Sequence, residues 1–128
     1  MSNVGTLAGH VVVEDRAVIG GLAAVHQFVR IGRMSMIGGC SKVVQDIPPF
    51  TIADGHPAEV RALNKEGLKR NGVTEDIQAR LRAAYKLLFR SRLNLGAAVE
   101  QIRKDIPDCP ELRHLIEFVQ NSARGVSK

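Results

Sequence analysis

Residues 7–48, read in blocks of six, run LAGHVV VEDRAV IGGLAA VHQFVR IGRMSM IGGCSK VVQDIP. An aliphatic residue opens every block, and the residue four places later is small or β-branched each time. The opening residues are Leu7, Val13, Ile19, Val25, Ile31, Ile37 and Val43. A period of six fits neither the 3.6-residue repeat of a helix nor the two-residue repeat of a half-buried strand. It is typical of a parallel β-helix, in which three blocks form one triangular coil.

The repeat also predicts which side chains face inward. The opening aliphatic side chains should point into the prism and stack on their equivalents in the next coil, roughly 4.8 Å away. The residue four places later should also face inward, near a corner where only small side chains fit. Glycines such as Gly20, Gly32 and Gly38 should supply either a positive φ or a close backbone approach at the corners.

The pattern changes at Pro48 and Pro49, which remove two backbone donors and should stop further coils. We predict coils of a β-helix at residues 1–50, an extended linker at 51–63 and an α-helical domain at 64–128. Helices are expected at 65–71, from 74 to about 90, at 95–106 and at 111–120. Thr74 should be an N-cap and Gly72 a C-terminal stop. The fold class is therefore mainly β with α.

The repeat begins in mid-coil, and its seven blocks give just over two coils. A solenoid is stabilised by its stacked neighbours, and its terminal repeats are normally capped. We therefore expect the chain to be the C-terminal piece of a longer protein.

Composition narrows the classes of partner. The formal net charge is +5, which favours acidic partners such as phosphorylated ligands, an acidic protein or nucleic acid. The absence of Trp and the single Tyr argue against stacking on nucleic-acid bases. No apolar run approaches the roughly 20 residues of a membrane span. Cys40 and Cys109 are far apart and in no metal spacing, so reduced thiols in the cytoplasm are expected.

Two histidines are candidate ligand contacts. His10 and His26 are sixteen residues apart, so we expect them on one edge of the prism, one layer apart, beside Gly9 and Gln27. They are either polar residues of a solvated corner or part of a ligand groove. A zinc site needs three convergent ligands, and the only third histidine nearby is His56, beyond the prolines. We expect neither a metal nor a cofactor.

Charged residues after the prolines allow two interpretations. Asn64, Glu66, Lys69 and Arg70 line the first predicted helix, where the two basic residues could clamp a diphosphate or simply face solvent. Four further basic residues could dock an acidic protein or form a solvated surface. These are Lys86, Arg90, Arg92 and Arg103.

Specific strings identify a family more sharply than the period does. They are residues 6–11 (TLAGHV), 24–28 (AVHQF), 37–41 (IGGCS), 45–50 (QDIPPF), 64–70 (NKEGLKR) and 84–91 (AYKLLFRS). In this order and spacing they resemble the C-terminal half of the UDP-N-acetylglucosamine O-acyltransferases that begin lipid A synthesis. The resemblance covers essentially the whole chain.

The resemblance implies a left-handed β-helix and a homotrimer with active sites in the grooves between adjacent β-helices. It implies transfer of a 3-hydroxyacyl group from acyl carrier protein to the glucosamine 3-hydroxyl of UDP-N-acetylglucosamine. The related N-acyltransferases fit less well, because the string at 64–70 matches the O-acyltransferases better. The alternative is a non-catalytic trimeric module that binds UDP-sugar or acyl carrier protein.

The resemblance assigns the family's site residues to matching positions of this chain. In the groove, Gly9 matches the backbone donor to the oxyanion and His10 a substrate contact. His26 and Gln27 match contacts to substrate and acyl chain. Gly39 matches the position that measures acyl length, where glycine favours a longer chain.

Asn64, Glu66 and Arg70 match nucleotide and diphosphate contacts. At Asn71 the family often has a second basic residue, so this chain departs from the pattern there. The family's general base is a histidine one coil before His10, and this chain has no histidine there. Because a sugar hydroxyl needs a base to become a good nucleophile, we expect little or no turnover from this chain alone.

Overall fold

The computed structural model describes residues 6–7, 11–122 and 125–126. Seven two-residue strands follow one another at intervals of six residues: β1 Thr6–Leu7, β2 Val12–Val13, β3 Val18–Ile19, β4 Ala24–Val25, β5 Arg30–Ile31, β6 Met36–Ile37 and β7 Lys42–Val43. Their parallel pairs are β1–β4–β7, β2–β5 and β3–β6. Each residue faces the one eighteen positions later, as Thr6 faces Ala24 and Ala24 faces Lys42. The predicted β-helix with three blocks per coil is therefore confirmed.

The interior of the β-helix is filled as the period predicts. From Ile19 onward every opening aliphatic side chain is at most 3% exposed. The small residues four places later are also buried, including Ser35, whose hydroxyl donates to the Gly32 carbonyl at 2.6 Å. Val13 is 38% exposed. Each buried aliphatic side chain contributes roughly 1.5–3 kcal/mol through loss of apolar surface.

At the corners, glycine allows close backbone approach, which is one of the two expected roles, but it does not supply the positive φ. Residues with positive φ recur every six positions along the repeat, and none of those described is glycine: Arg16, Leu22, Phe28, Met34 and Cys40. Gly20 and Gly32 are instead required by close packing of successive coils. An added Cβ would lie 2.6 Å from the Gly39 nitrogen in the first case and 2.6 Å from the Pro49 Cα in the second.

After the prolines the chain adds one more parallel strand to the β-helix before it turns back, so the β-helix ends one side later than predicted. Strand β8 (Thr51–Gly55) lies parallel to β6, and β9 (Ala58–Leu63) returns antiparallel to β8. The segment predicted as an extended linker thus forms a hairpin on the third sheet. Both prolines precede β8, so no ladder hydrogen bond within the strand is lost. The Pro48 carbonyl accepts a hydrogen bond from the Thr51 hydroxyl at 2.8 Å.

Four helices complete the chain: α1 Lys65–Arg70, α2 Glu75–Phe89, α3 Leu95–Asp105 and α4 Pro110–Gln120. They confirm the predicted helices to within one or two residues at the ends. The side chains of Asn64, Thr74 and Asn94 each accept a backbone N–H in the first turn of the helix that follows. Gly72 has φ +75°, which fits its predicted place as the stop after α1.

Side chains from both parts of the chain build the junction between them. The core of the helical part includes Leu81, Ile102 and Leu115, and also Met34 and Phe50 from the β-helix. The imidazole of His114 in α4 lies 2.8 Å from a Glu14 carboxylate oxygen. At the other end of the chain, Val126 forms a parallel bridge with Asp46.

Candidate functional site

The β-helix has three edges, and the predicted site residues are divided among them. The first edge comprises residues 26–29 and 44–47, the second 14–17 and 32–35, and the third 20–23 and 38–41. His26 and Gln27 lie on the first edge and Gly39 on the third. Gly9 and His10 lie outside the described residues, so the predicted stacking of His10 below His26 stays a prediction.

His26 and Gln27 are exposed on a rigid backbone. The His26 N–H donates to the Val43 carbonyl of the next coil at 2.8 Å. The ring Nδ1 of His26 lies 3.4 Å from the Gln27 carbonyl, and the rest of the ring faces outward. The following residue, Phe28, has φ +68° and a side chain that is 58% exposed. This edge therefore presents a polar pair beside an apolar ring.

Gly39 packs closely against the neighbouring coil. A Cβ at this position would lie 3.0 Å from the Gly21 carbonyl oxygen, which also accepts the Cys40 N–H at 3.0 Å. A side chain here would press on backbone that is already hydrogen-bonded. The missing side chain leaves the third edge open to solvent, and the acyl-length role of Gly39 stays a prediction.

Asn64 is a structural residue within the chain itself. Its side chain is buried, its oxygen accepts the Gly67 N–H at 3.1 Å and its nitrogen donates to the Met34 carbonyl at 2.9 Å. The side chain thus begins α1 and fastens it to the second edge. A Cβ at Gly67 would lie 2.8 Å from Asn64 Cγ, so glycine is needed there for this contact.

Glu66 and Arg70 are the predicted site residues that lie within α1 itself. They are four residues apart, which places them on one helix face, and both are exposed. Neither forms an ion pair with any residue that the structure describes. They can therefore contact a ligand without breaking an existing bond.

Arg16 is a residue that sequence reasoning missed. Its Nη1 donates to the Asn71 side-chain oxygen at 2.7 Å across 55 positions of sequence. The Asn71 side-chain nitrogen donates to the Gly67 carbonyl, also at 2.7 Å. A guanidinium from the second edge is thus brought next to the position where a basic residue was expected. No local sequence signal points to this contact, because it depends on how α1 lies across the coils.

Three surface cavities lie away from these residues. One of about 650 Å³ lies between α3 and α4, and one of about 410 Å³ is lined by Glu14, Asp15, Arg33 and His114. The third, of about 450 Å³, lies between β9 and α2. None of the predicted site residues that the structure describes lines any of the three. His26, Gln27, Gly39, Glu66 and Arg70 are exposed on the surface of the single chain.

Arg61, in the wall of the third cavity, has a shifted pKa. Its Nε donates to an Asp54 carboxylate oxygen at 2.6 Å, and this hydrogen bond raises the pKa of the guanidinium above its ordinary value. Arg61 is therefore always protonated, and its charge is already paired with that of Asp54.

Within residues 6–7, 11–122 and 125–126, no three His, Cys, Asp or Glu side chains lie together as metal ligands would. None of the helices within the same ranges has the length and apolar character needed to cross a membrane.

A protein-family model described as "Udp N-acetylglucosamine O-acyltransferase; Domain 2" matches residues 46–127, well over half of the chain. The chain belongs to the UDP-N-acetylglucosamine O-acyltransferase family. This match includes β8, β9 and all four helices. It confirms the resemblance drawn from the sequence strings.

Individual members of the UDP-N-acetylglucosamine O-acyltransferase family agree with this assignment. The chain is 46% identical over 131 aligned positions to a Burkholderia orbicola protein named acyl-[acyl-carrier-protein]–UDP-N-acetylglucosamine O-acyltransferase, covering 98% of this chain and 50% of that protein. A Burkholderia lata protein of the same name is 45% identical, with the same coverage. The chain therefore spans about half the length of the curated relatives it matches.

Solved structures extend the agreement to the fold. LpxA from Acinetobacter baumannii matches with a TM-score of 0.91 and 39% identity, covering 97% of this chain and 48% of that one. LpxA from Moraxella catarrhalis matches with a TM-score of 0.92 and 39% identity, covering 98% and 49%. The predicted fold class is confirmed: a left-handed parallel β-helix followed by helices, mainly β with α.

Proposed function

We propose that the chain contributes to transfer of a 3-hydroxyacyl group from acyl carrier protein to the glucosamine 3-hydroxyl of UDP-N-acetylglucosamine, in lipid A biosynthesis. Family membership carries this proposal, because the matched region contains Asn64, Glu66 and Arg70. The names of the curated relatives include both the acyl carrier protein and the nucleotide sugar.

The chemistry divides into activation, attack and departure. The sugar hydroxyl attacks the thioester carbonyl while a base accepts its proton, and the thiolate leaves as the tetrahedral intermediate collapses. We assign the backbone N–H of Gly9 to the oxyanion. His10, His26 and Gln27 are assigned to contacts with substrate and acyl chain, Gly39 to the end of that chain, and none of the described residues is assigned as the base.

Arg70 and Arg16 are assigned to the diphosphate. Arg70 has no ion-pair partner among the described residues, and Arg16 reaches α1 through its bond to Asn71. Guanidinium groups bind phosphate oxygens through paired hydrogen bonds. Glu66, one turn before Arg70, is assigned to hydroxyl groups of the nucleotide, and the structural position of Asn64 orients the helix that carries both.

A homotrimer would bring the separated residues together. His26 and Gln27 lie on the first edge and Gly39 on the third, so one chain cannot close them into a groove. A cyclic trimer can set the first edge of one copy beside the third edge of the next. Exposed apolar residues support such contacts, namely Val18 and Met36 on the third sheet and Leu22, 69% exposed, on the third edge.

A cytoplasmic location is part of the proposal. Cys40 and Cys109 are both free. Free thiols are the usual state of cysteine in a reducing compartment.

The proposal is tested first by binding of UDP-N-acetylglucosamine, measured by calorimetry. Arg70→Ala and Arg16→Ala should each weaken binding roughly tenfold, through loss of charge-assisted hydrogen bonds. Lys42→Ala removes an exposed cation of β7 and should change nothing. Light scattering should give a trimer. Failure of the unsubstituted chain to bind the nucleotide sugar would contradict the proposal.

An acyl-transfer assay with 3-hydroxyacyl carrier protein tests whether this chain carries out the reaction by itself. Little or no transfer is expected, because none of the described residues is assigned as the base. Clear transfer that is lost in His26→Ala would exclude the alternative of a non-catalytic trimeric module, for which saturable binding of the nucleotide sugar or carrier protein without any transfer is the expected result.

A further inference from the structure

The third cavity, between β9 and α2, is lined mainly by cationic side chains. Its volume is about 450 Å³. The cations in its wall are Arg61, Lys65, Arg82, Lys86 and Arg90. No acidic residue among those that the structure describes lines it. Such a concentration of one charge in a concave surface strengthens the local positive potential.

Two of these cations are held by the protein. Arg61 is paired with Asp54 at 2.6 Å and with Glu59 at 3.3 Å. Arg90 donates through Nη2 to the carbonyls of Val60 and Arg61, at 3.0 and 3.2 Å. Their role is to fix the wall of the cavity and to join α2 to β9.

The other three cations, Lys65, Arg82 and Lys86, form no ion pair with the residues that the structure describes. Arg82 and Lys86 are four residues apart on α2, and like charges at this spacing destabilise a helix. Lys65 adds a third charge from the start of α1. An arrangement that opposes helix stability is explained if an anion binds between these side chains.

Tyr85 adds an aromatic surface to the cavity. It lines the wall, and the guanidinium of Arg90 lies 5.2 Å from the centre of its ring. Ala62 and Leu63 add an apolar part to the same wall.

We propose that this cavity binds an organic phosphate. Lys65, Arg82 and Lys86 hold the phosphate, and the Tyr85 ring with Leu63 contacts the carbon part. A phosphate monoester carries up to two negative charges, which matches three unpaired cations better than a single carboxylate does. The Arg82 guanidinium also has the planar fork that suits phosphate oxygens. The site uses neither Glu66 nor Arg70 and does not depend on acyl transfer.

The test measures binding of phenyl phosphate, with inorganic phosphate and phenol as reference ligands. Phenyl phosphate should bind most tightly because it uses both the cations and the apolar wall. Arg82→Gln and Lys86→Gln should each weaken it roughly tenfold. Lys42→Gln makes the same change of charge outside the cavity and should have no effect. Equal weakening by all three variants would indicate non-specific attraction and overturn the proposal.

Two further variants locate the site. Tyr85→Leu removes the aromatic ring from the wall and should weaken phenyl phosphate binding several-fold. Arg70→Ala should leave this binding intact, and UDP-N-acetylglucosamine should not compete for it. Competition together with loss of binding in Arg70→Ala would assign phenyl phosphate to the nucleotide surface and refute a separate site. Lys65→Gln, on a different helix, decides the question if a substitution in α2 prevents folding.

Discussion

Phe28 and Phe50 show how differently the two parts of this molecule use the same backbone geometry. Both are corner residues in the left-handed region, with φ +68° and +66°. Phe28 is 58% exposed, whereas Phe50 is fully buried beneath the helical part. Neighbouring coils fix the corner conformation, but the environment of the side chain depends on what packs against that edge. Coil stacking therefore determines the backbone at both corners, and packing of the helical part determines whether the corner side chain is buried.

The largest effect on stability is expected at Phe50, with Phe28 as its direct comparison. Phe50→Ala should lower the free energy of unfolding by about 3–5 kcal/mol, because it leaves a cavity in the helical core. Phe28→Ala makes the same change at nearly the same φ and should cost less than about 1 kcal/mol. Since the backbone effect is common to both variants, the difference in urea unfolding isolates the buried contact. Equal costs would show that burial of the Phe50 ring adds nothing to stability beyond what the exposed Phe28 ring contributes.

Replacing glycine by alanine should destabilise the protein in the β-helix and stabilise it in the helical part. Gly32→Ala places a Cβ against the backbone of Pro49 and should destabilise the protein by about 1–3 kcal/mol. Gly96, in α3, has only the Asn94 side-chain oxygen nearby, at 3.7 Å. Gly96→Ala should raise stability by up to about 1 kcal/mol, because alanine restricts the unfolded chain. Thermal unfolding of the two variants measures both, and a stabilising Gly32→Ala would disprove the close packing of coils.

The smallest expected effect concerns the contact that joins the parts. A double-mutant cycle with Glu14→Gln and His114→Ala should give a coupling energy of about 0.5–1 kcal/mol. Glu14 also accepts the Arg33 N–H at 2.9 Å, so it keeps a partner when His114 is removed. The exposed pair Asp76 and Arg80 within α2 is the matched control, expected at about 0.3–0.5 kcal/mol. Absence of coupling between Glu14 and His114 would remove this contact as a link between the parts.

Much of the architecture follows from local sequence patterns. The period of six predicts the strands and the inward residues, and Thr74 and Gly72 mark helix ends because capping involves residues close in sequence. The hairpin after Pro49 could not be predicted as part of the sheet, since the six-residue period ends at Pro48 and Met36 pairs with Ile52 at a separation of 16 rather than 18 residues. The positive φ of residues such as Leu22 could not be predicted from the sequence either, because the coil imposes this conformation and the residue type does not favour it.

Residues of the candidate site can be predicted from the sequence only where they belong to a sequence motif of the family. His26, Gln27, Glu66 and Arg70 come from family motifs, and the structure adds that they are exposed. The bond from Arg16 to Asn71 and the cationic cavity beside Tyr85 depend on how distant elements pack. No short sequence pattern predicts either feature.

The antiparallel direction of β9 has a consequence for growth of the solenoid. A further coil would have to add a parallel strand to β8, but β9 already occupies that side. Near the other end of the last coil, Asp46 receives Val126 as a bridge partner and accepts the Ser122 hydroxyl at 2.6 Å. Covered strand edges resist pairing with other chains. The parallel stack of coils therefore ends at β9 on this side.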